Sequence, residues 1–143
     1  MSQSENQLET TLIKQLNKLG FKSVQIPDKD HLEQNLLTQL ENFNKTTFSE
    51  HESSQILNHL NKGDRFTKAK TLRDRFNLKR DDGTTSYIRF FNTDQWCKNE
   101  YQVTNQVTQS GKYENRYDVT LLINGLPLVQ IELKRRGVEM KEA

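Results

Sequence analysis

Apolar residues recur with a helical period in the first half of the chain and with a strand period in the second. Leu8, Leu12, Leu16 and Leu19, with Ile13 beside them, follow spacings of three and four, one face of an amphipathic helix. Ser4 with Gln7 three residues on is a capping-box pattern, and Gly20 is a natural stop. Phe21, Val24 and Ile26 read as a short extended piece ending at Pro27. Asp30 is the expected cap of a second helix carrying Leu32, Leu36, Leu37, Leu40 and Phe43. Thr47 or Ser49 caps a third through Ile56, Leu57 and Leu60, closed by Gly63. A fourth, basic helix is predicted over 66–76.

Beyond that point the period becomes two. Asp82-Gly83 signals a hairpin between Asn77–Arg80 and Ser86–Phe91. Tyr101, Val103, Asn105 and Val107 alternate with polar neighbours. Two stronger strand candidates, 117–123 and 128–134, flank Asn124-Gly125. Helices first and strands afterwards predict an α/β or α+β fold in a single domain, 1–143. The last residues, Glu139 to Ala143, are helix formers without a stop signal. They read as the first turn of a helix that continues in a longer chain.

Composition narrows the classes. With 143 residues, 32% hydrophobic and 28% charged, the chain carries a modest core. It has no apolar run long enough for a bilayer and no secretory signal pattern at its start. A lone cysteine, Cys97, forms no internal disulfide and no multi-cysteine zinc site. A cytoplasmic location is the expectation. His31, His51 and His59 lack metal-ligand spacing and read as surface or helix-face residues, and Trp96 and Cys97 as packing residues. The net charge of +2 hides a concentrated basic stretch over 62–80, with eight Lys/Arg against Asp64 and Asp74. Such a stretch attracts phosphate backbones, which makes Lys68, Lys70 and Arg73 candidate DNA contacts; the plainer alternative is a solvated helix face.

One constellation carries chemistry. In residues 116–137, RYDVTLLINGLPLVQIELKRRG, odd positions Val119, Leu121, Ile123, Val129, Ile131 and Leu133 are apolar. Asp118, Glu132 and Lys134 fall on the alternate face. A two-residue loop would set odd residues against even ones. A three-residue loop, Asn124-Gly125-Leu126, sets odd against odd and places Asp118 directly across from Glu132. Opposed Cβ atoms lie about 4.5–5.5 Å apart, so the two carboxylates repel unless a cation sits between them. Mg²⁺ is the usual hard cation beside phosphates. Lys134 on the same face then orients or activates water, or stabilises phosphate charge. Together these parts make a metal-assisted phosphodiester hydrolase. Arg136 either joins Lys134 on the phosphate side or is solvated.

The stretch RYDVTLLINGLPLVQIELKRRGV resembles the nuclease core of the restriction (R) subunit of type I restriction–modification enzymes, in the PD-(D/E)xK superfamily. The opening SENQLETTLIKQLNKLGF resembles that family's first helix. The likeness is close over 4–21 and 116–143 and loose between. It implies a restriction-endonuclease-like mixed sheet flanked by helices, Asp118 and Glu132 as Mg²⁺ ligands, and Lys134 as the catalytic lysine. It matches Glu9 to an acidic residue that faces the metal in many superfamily members; the residue pattern alone leaves Glu9 either there or in solvent. Tyr117 stands where the superfamily name puts Pro, a departure the R subunits share. The family continues into a Gln-x-x-x-Tyr helix and an ATP-driven P-loop motor, and neither motif occurs in these residues. The implied partners are double-stranded DNA and the methyltransferase and specificity subunits, with ATP bound by the full-length parent only. A non-catalytic DNA- or subunit-docking module is the competing reading.

Overall fold

The computed structural model describes residues 5–63, 70–109 and 115–133. They form an α+β fold with a four-stranded mixed sheet and a separate two-stranded one. The chain divides into two compact units. One comprises Met1–Leu32, Tyr101–Leu122 and Leu126–Ala143, the other Glu33–Glu100 with Ile123–Gly125.

The first unit is built on helix α1 (Glu5–Lys18) and the sheet. Strand β1 (Lys22–Ser23) pairs in parallel with β4 (Tyr101–Gln109), and β5 (Asn115–Ile123) and β6 (Leu126–Ile131) complete the order β1-β4-β5-β6. Gly20 ends α1 as expected. At φ 107° it lets its own N–H reach Asn17 and the Phe21 N–H reach the Leu16 carbonyl, the double bond of a Schellman stop. Leu19, read as part of the apolar face, is therefore at the cap and 76% exposed. Leu16 is buried against Val103 and Val119, and Leu12, Ile13, Phe21, Leu121, Ile131 and Leu133 pack around them. Each fully buried aliphatic side chain contributes roughly 1.5–3 kcal/mol. The alternate face of β5 is buried too, with Leu122 against Ile26, Val24 and Leu32. The expected polar face of this strand is thus covered, because the segment after β1 packs over it.

The second unit begins as α2 (Lys29–Asn44) runs on through Glu33. The cap of α2 is Asp28 rather than Asp30: its Oδ1 accepts the His31 N–H at 2.9 Å. Helix α3 (Glu50–Leu60) starts at Ser49 with a complete capping box, in which Ser49 Oγ accepts from the Glu52 N–H and Glu52 Oε1 from the Ser49 N–H. Strands β2 (Phe76–Lys79) and β3 (Thr85–Ile88) pair antiparallel around the Asp82-Gly83 turn. The predicted basic helix overran its end. Residues 70–73 are helical, but Phe76 already opens β2, where it pairs with Ile88. Leu40, Ile56, Leu78, Ile88 and Phe90 are at most 1% exposed and form this unit's core.

His59 departs from the surface reading, since its ring stacks on Phe76 at 4.2 Å. Burial, helped by the Lys62 charge, lowers its pKa. Trp96 lies in a short 3₁₀ turn (Trp96–Lys98), half exposed, with its ring 6.3 Å from that of Phe91.

Candidate active site

Asp118 lies early in β5, half buried, one residue before the fully buried Val119. Strand β6 ends at Ile131, so Glu132 follows just past the last ladder residue and is exposed. The two positions are tied by one hydrogen bond, in which the Leu133 backbone N–H donates to Asp118 Oδ2 at 2.7 Å. The Leu133 nitrogen is two covalent bonds from the Glu132 Cα. That Cα therefore lies within about 5.6 Å of Asp118 Oδ2. The same bond spends one lone pair of the carboxylate and leaves Oδ1 with no hydrogen bond among the described residues.

The hairpin reaches this arrangement by a different route from the one expected. Asn124 and Gly125, at φ 51° and 83°, form a two-residue loop with both φ values positive, and Leu126 is already in β6. Alone, that loop would set odd residues of β5 against even residues of β6. Yet Ile131 and Leu133 join Val119 and Leu121 in the α1 core. Leu126 is 6% exposed, whereas Leu128 and Val129 are 43% and 46% exposed. The side chains at the end of β6 thus share the α1 core with the odd residues of β5, although the turn that opens the strand takes two residues. The loop itself is pinned from within the second unit. Asn124 Oδ1 accepts the Glu100 N–H at 2.8 Å, and its Nδ2 donates to the Phe90 carbonyl and to Asn99 Oδ1.

Glu9 is not a solvent residue. It is 6% exposed, and its Oε1 accepts from Asn105 Nδ2 of β4 at 2.7 Å. Asn105 shares the face of Val103 by alternation, so this contact lies on the α1 side of the sheet. Among the described residues no group of three or more His, Cys, Asp or Glu could hold a metal, so Glu9, Asp118 and Glu132 do not form one cluster. Asp118 and Glu132 remain a pair of oxygen donors. That suits Mg²⁺, which is commonly held by one or two carboxylates together with substrate phosphates and water. Lys134, Arg136 and Lys68 lie outside the described residues. Lys70 and Arg73 are exposed in the second unit. Asn105, the partner of Glu9, was visible in the sequence as a polar residue in an apolar alternation. Nothing in the spacing assigned it a partner.

The family described as Type I restriction enzyme R protein N terminus matches residues 2–143. The chain belongs to this family. It is 43% identical over 146 residues to the endonuclease subunit of a type I restriction enzyme from Staphylococcus aureus strain COL, covering 99% of this chain and 16% of that protein. The same figures describe its similarity to an endonuclease subunit from Staphylococcus saprophyticus. The endonuclease subunit of the type I enzyme EcoprrI of Escherichia coli is 37% identical over 147 residues, with 99% and 47% of the two chains covered. As an R-protein N terminus, the chain spans about a sixth of its staphylococcal relatives and about half of the E. coli one. No helix among the described residues is long and apolar enough to cross a membrane.

Proposed function

We propose that this R-protein N terminus supplies the DNA-cutting centre of a type I restriction enzyme, with Asp118 and Glu132 holding Mg²⁺ and Lys134 beside the scissile phosphate. The observation that carries the reading is the Leu133 N–H bond to Asp118 Oδ2, which brings the Glu132 backbone next to the Asp118 carboxylate. Mg²⁺, when bound, supplies Lewis-acid polarisation of a phosphate oxygen and a water of lowered pKa. Asp118 contributes an oriented oxygen, because its other oxygen is fixed to the backbone. Glu132, exposed beyond the strand end, contributes a second oxygen facing substrate. Lys134 adds a positive group to offset phosphate charge. Lys68, Lys70, Arg73 and Arg136 would contact the DNA backbone electrostatically. Glu9 belongs to the site only if substrate or metal draws it from Asn105.

In the parent, an ATP-driven motor elsewhere in the chain would bring double-stranded DNA to this centre. Methyltransferase and specificity subunits would choose the sequence, in a cytoplasmic complex. The test is DNA cleavage by the full-length parent with Mg²⁺ and ATP. Asp118→Ala, Glu132→Ala and Lys134→Ala should each abolish cleavage while ATP hydrolysis continues. Cleavage at the unaltered rate by Lys134→Ala would hand the region to the docking reading.

A further inference from the structure

The second unit contains a cleft of about 420 Å³ lined by Arg73, Asp74, Arg75, Arg89, Phe90 and Phe91. Its rim carries three guanidinium groups and one carboxylate. Among the described residues none of the three arginines makes an ion pair with an acidic side chain. Two of them are held by other contacts, and the Arg89 guanidinium donates to the Phe91 carbonyl at 3.4 Å. Arg75 Cζ sits 4.6 Å over the Tyr87 ring. The Arg89 backbone is gripped on both sides by Asn44, whose Oδ1 accepts the Arg89 N–H at 2.8 Å while Nδ2 donates to the Arg89 carbonyl at 2.9 Å. Two phenylalanines complete the lining: Phe90 is buried, and Phe91 is half buried with its ring 6.3 Å from that of Trp96. Tyr87, beneath Arg75, and Trp96, beside Phe91, are 58% and 51% exposed.

We propose that this cleft binds an unpaired nucleotide of a DNA single strand, with its phosphate between Arg75 and Arg89 and its base on the aromatic surface. Guanidinium forks match phosphate oxygens. Aromatic faces take a base only once it has left the duplex stack, and each such stack is worth roughly 1–3 kcal/mol. A surface meant solely for duplex backbone needs the charge but not the exposed rings. The volume suits one nucleotide rather than a groove-spanning helix. The nucleotide chemistry follows from the cleft itself; the choice of DNA rests on the nuclease reading. The cleft shares no residue with the Asp118–Glu132 pair and would hold a strand, not cut it.

The experiment is fluorescence anisotropy of a labelled oligothymidylate, and of the matching duplex, titrated with the full-length subunit at several salt concentrations. Arg75→Glu/Arg89→Glu should weaken oligothymidylate binding about tenfold or more. It should also lower the magnitude of the salt slope by about 0.7, the value for one phosphate contact on a single strand. The duplex should lose less. Arg75→Lys/Arg89→Lys should keep the slope, which separates lost charge from lost fold. Cutting by Asp118→Ala is read in a separate cleavage assay, so this proposal and the nuclease reading fail separately. Unchanged affinity and slope in the Glu variant, or a larger loss on the duplex, overturns the proposal.

Discussion

Glu52 in the second unit and Asp118 in the first are both carboxylates tied to backbone amides, yet their surroundings assign them opposite work. Glu52 is consumed. One oxygen accepts the Ser49 N–H at 2.8 Å, and the other accepts the Asp81 N–H at 3.0 Å and meets Arg80 Nε at 3.0 Å. Arg80 in turn donates to the Thr47 carbonyl. This carboxylate closes a helix cap and joins α3 to the end of β2. Asp118 accepts a single backbone N–H and keeps an oxygen uncommitted, beside a second acidic residue that is exposed. A carboxylate with both oxygens engaged is architecture; one with an oxygen left over, at a strand end, is available for a metal.

The contrast can be broken by substitution. The largest effect should be on activity, where Asp118→Ala in the parent removes cleavage. Glu52→Ala should act on cleavage only through stability, so that lowering the temperature restores it. Next comes Gly125→Ala. At φ 83° a Cβ is strained, and it would approach the Leu36 Cα to 2.6 Å. A loss of about 2–5 kcal/mol in denaturant unfolding is expected, the left-handed cost plus an overpacking cost. Ser49→Ala should cost about 1 kcal/mol by opening the capping box.

The acid dependence sharpens the same comparison. The Ser49 N–H, the Asp81 N–H and the Arg80 charge hold the Glu52 pKa below its ordinary value despite an opposing desolvation. A depressed carboxylate stabilises the fold above its unfolded pKa, about 4.3. That contribution is lost as pH falls through the lower folded value. Unfolding midpoints should therefore drop on acidification below that range, and Glu52→Gln should show a shallower drop. The smallest effect should be Asp118→Ala on stability. Only one hydrogen bond is lost, worth about 0.5–1.5 kcal/mol.

Much of this was legible in the chain. The 3.6 and 2 periods located the helices and most strands, because one buried face per element writes itself into the order of residues. The Gly20 stop and the Ser49 cap were readable for the same reason: each is a local hydrogen-bond solution. The misreadings were non-local. Asp28 and Asp30 are equally good caps by type, and it is Asp28 that accepts the His31 N–H. Strand parity favours a three-residue Asn124-Gly125-Leu126 loop, whereas the turn takes Asn124 and Gly125 alone, with Leu126 already in β6. Glu9 sits among leucines in sequence, and its burial depends on Asn105, which is 96 positions away. Arg75 and Arg89 come together only because β2 and β3 pair, and the basic stretch by itself did not single them out.

The central claim is that a divalent ion sits between Asp118 and Glu132. The most direct measurement is affinity cleavage of the full-length subunit's own backbone, with Fe²⁺ replacing Mg²⁺ in the presence of ascorbate and peroxide. Cuts are expected close to positions 118 and 132, suppressed by excess Mg²⁺ and absent in Asp118→Ala/Glu132→Ala. Mg²⁺-suppressible cuts that persist in that double variant, or that fall away from both positions, would contradict it.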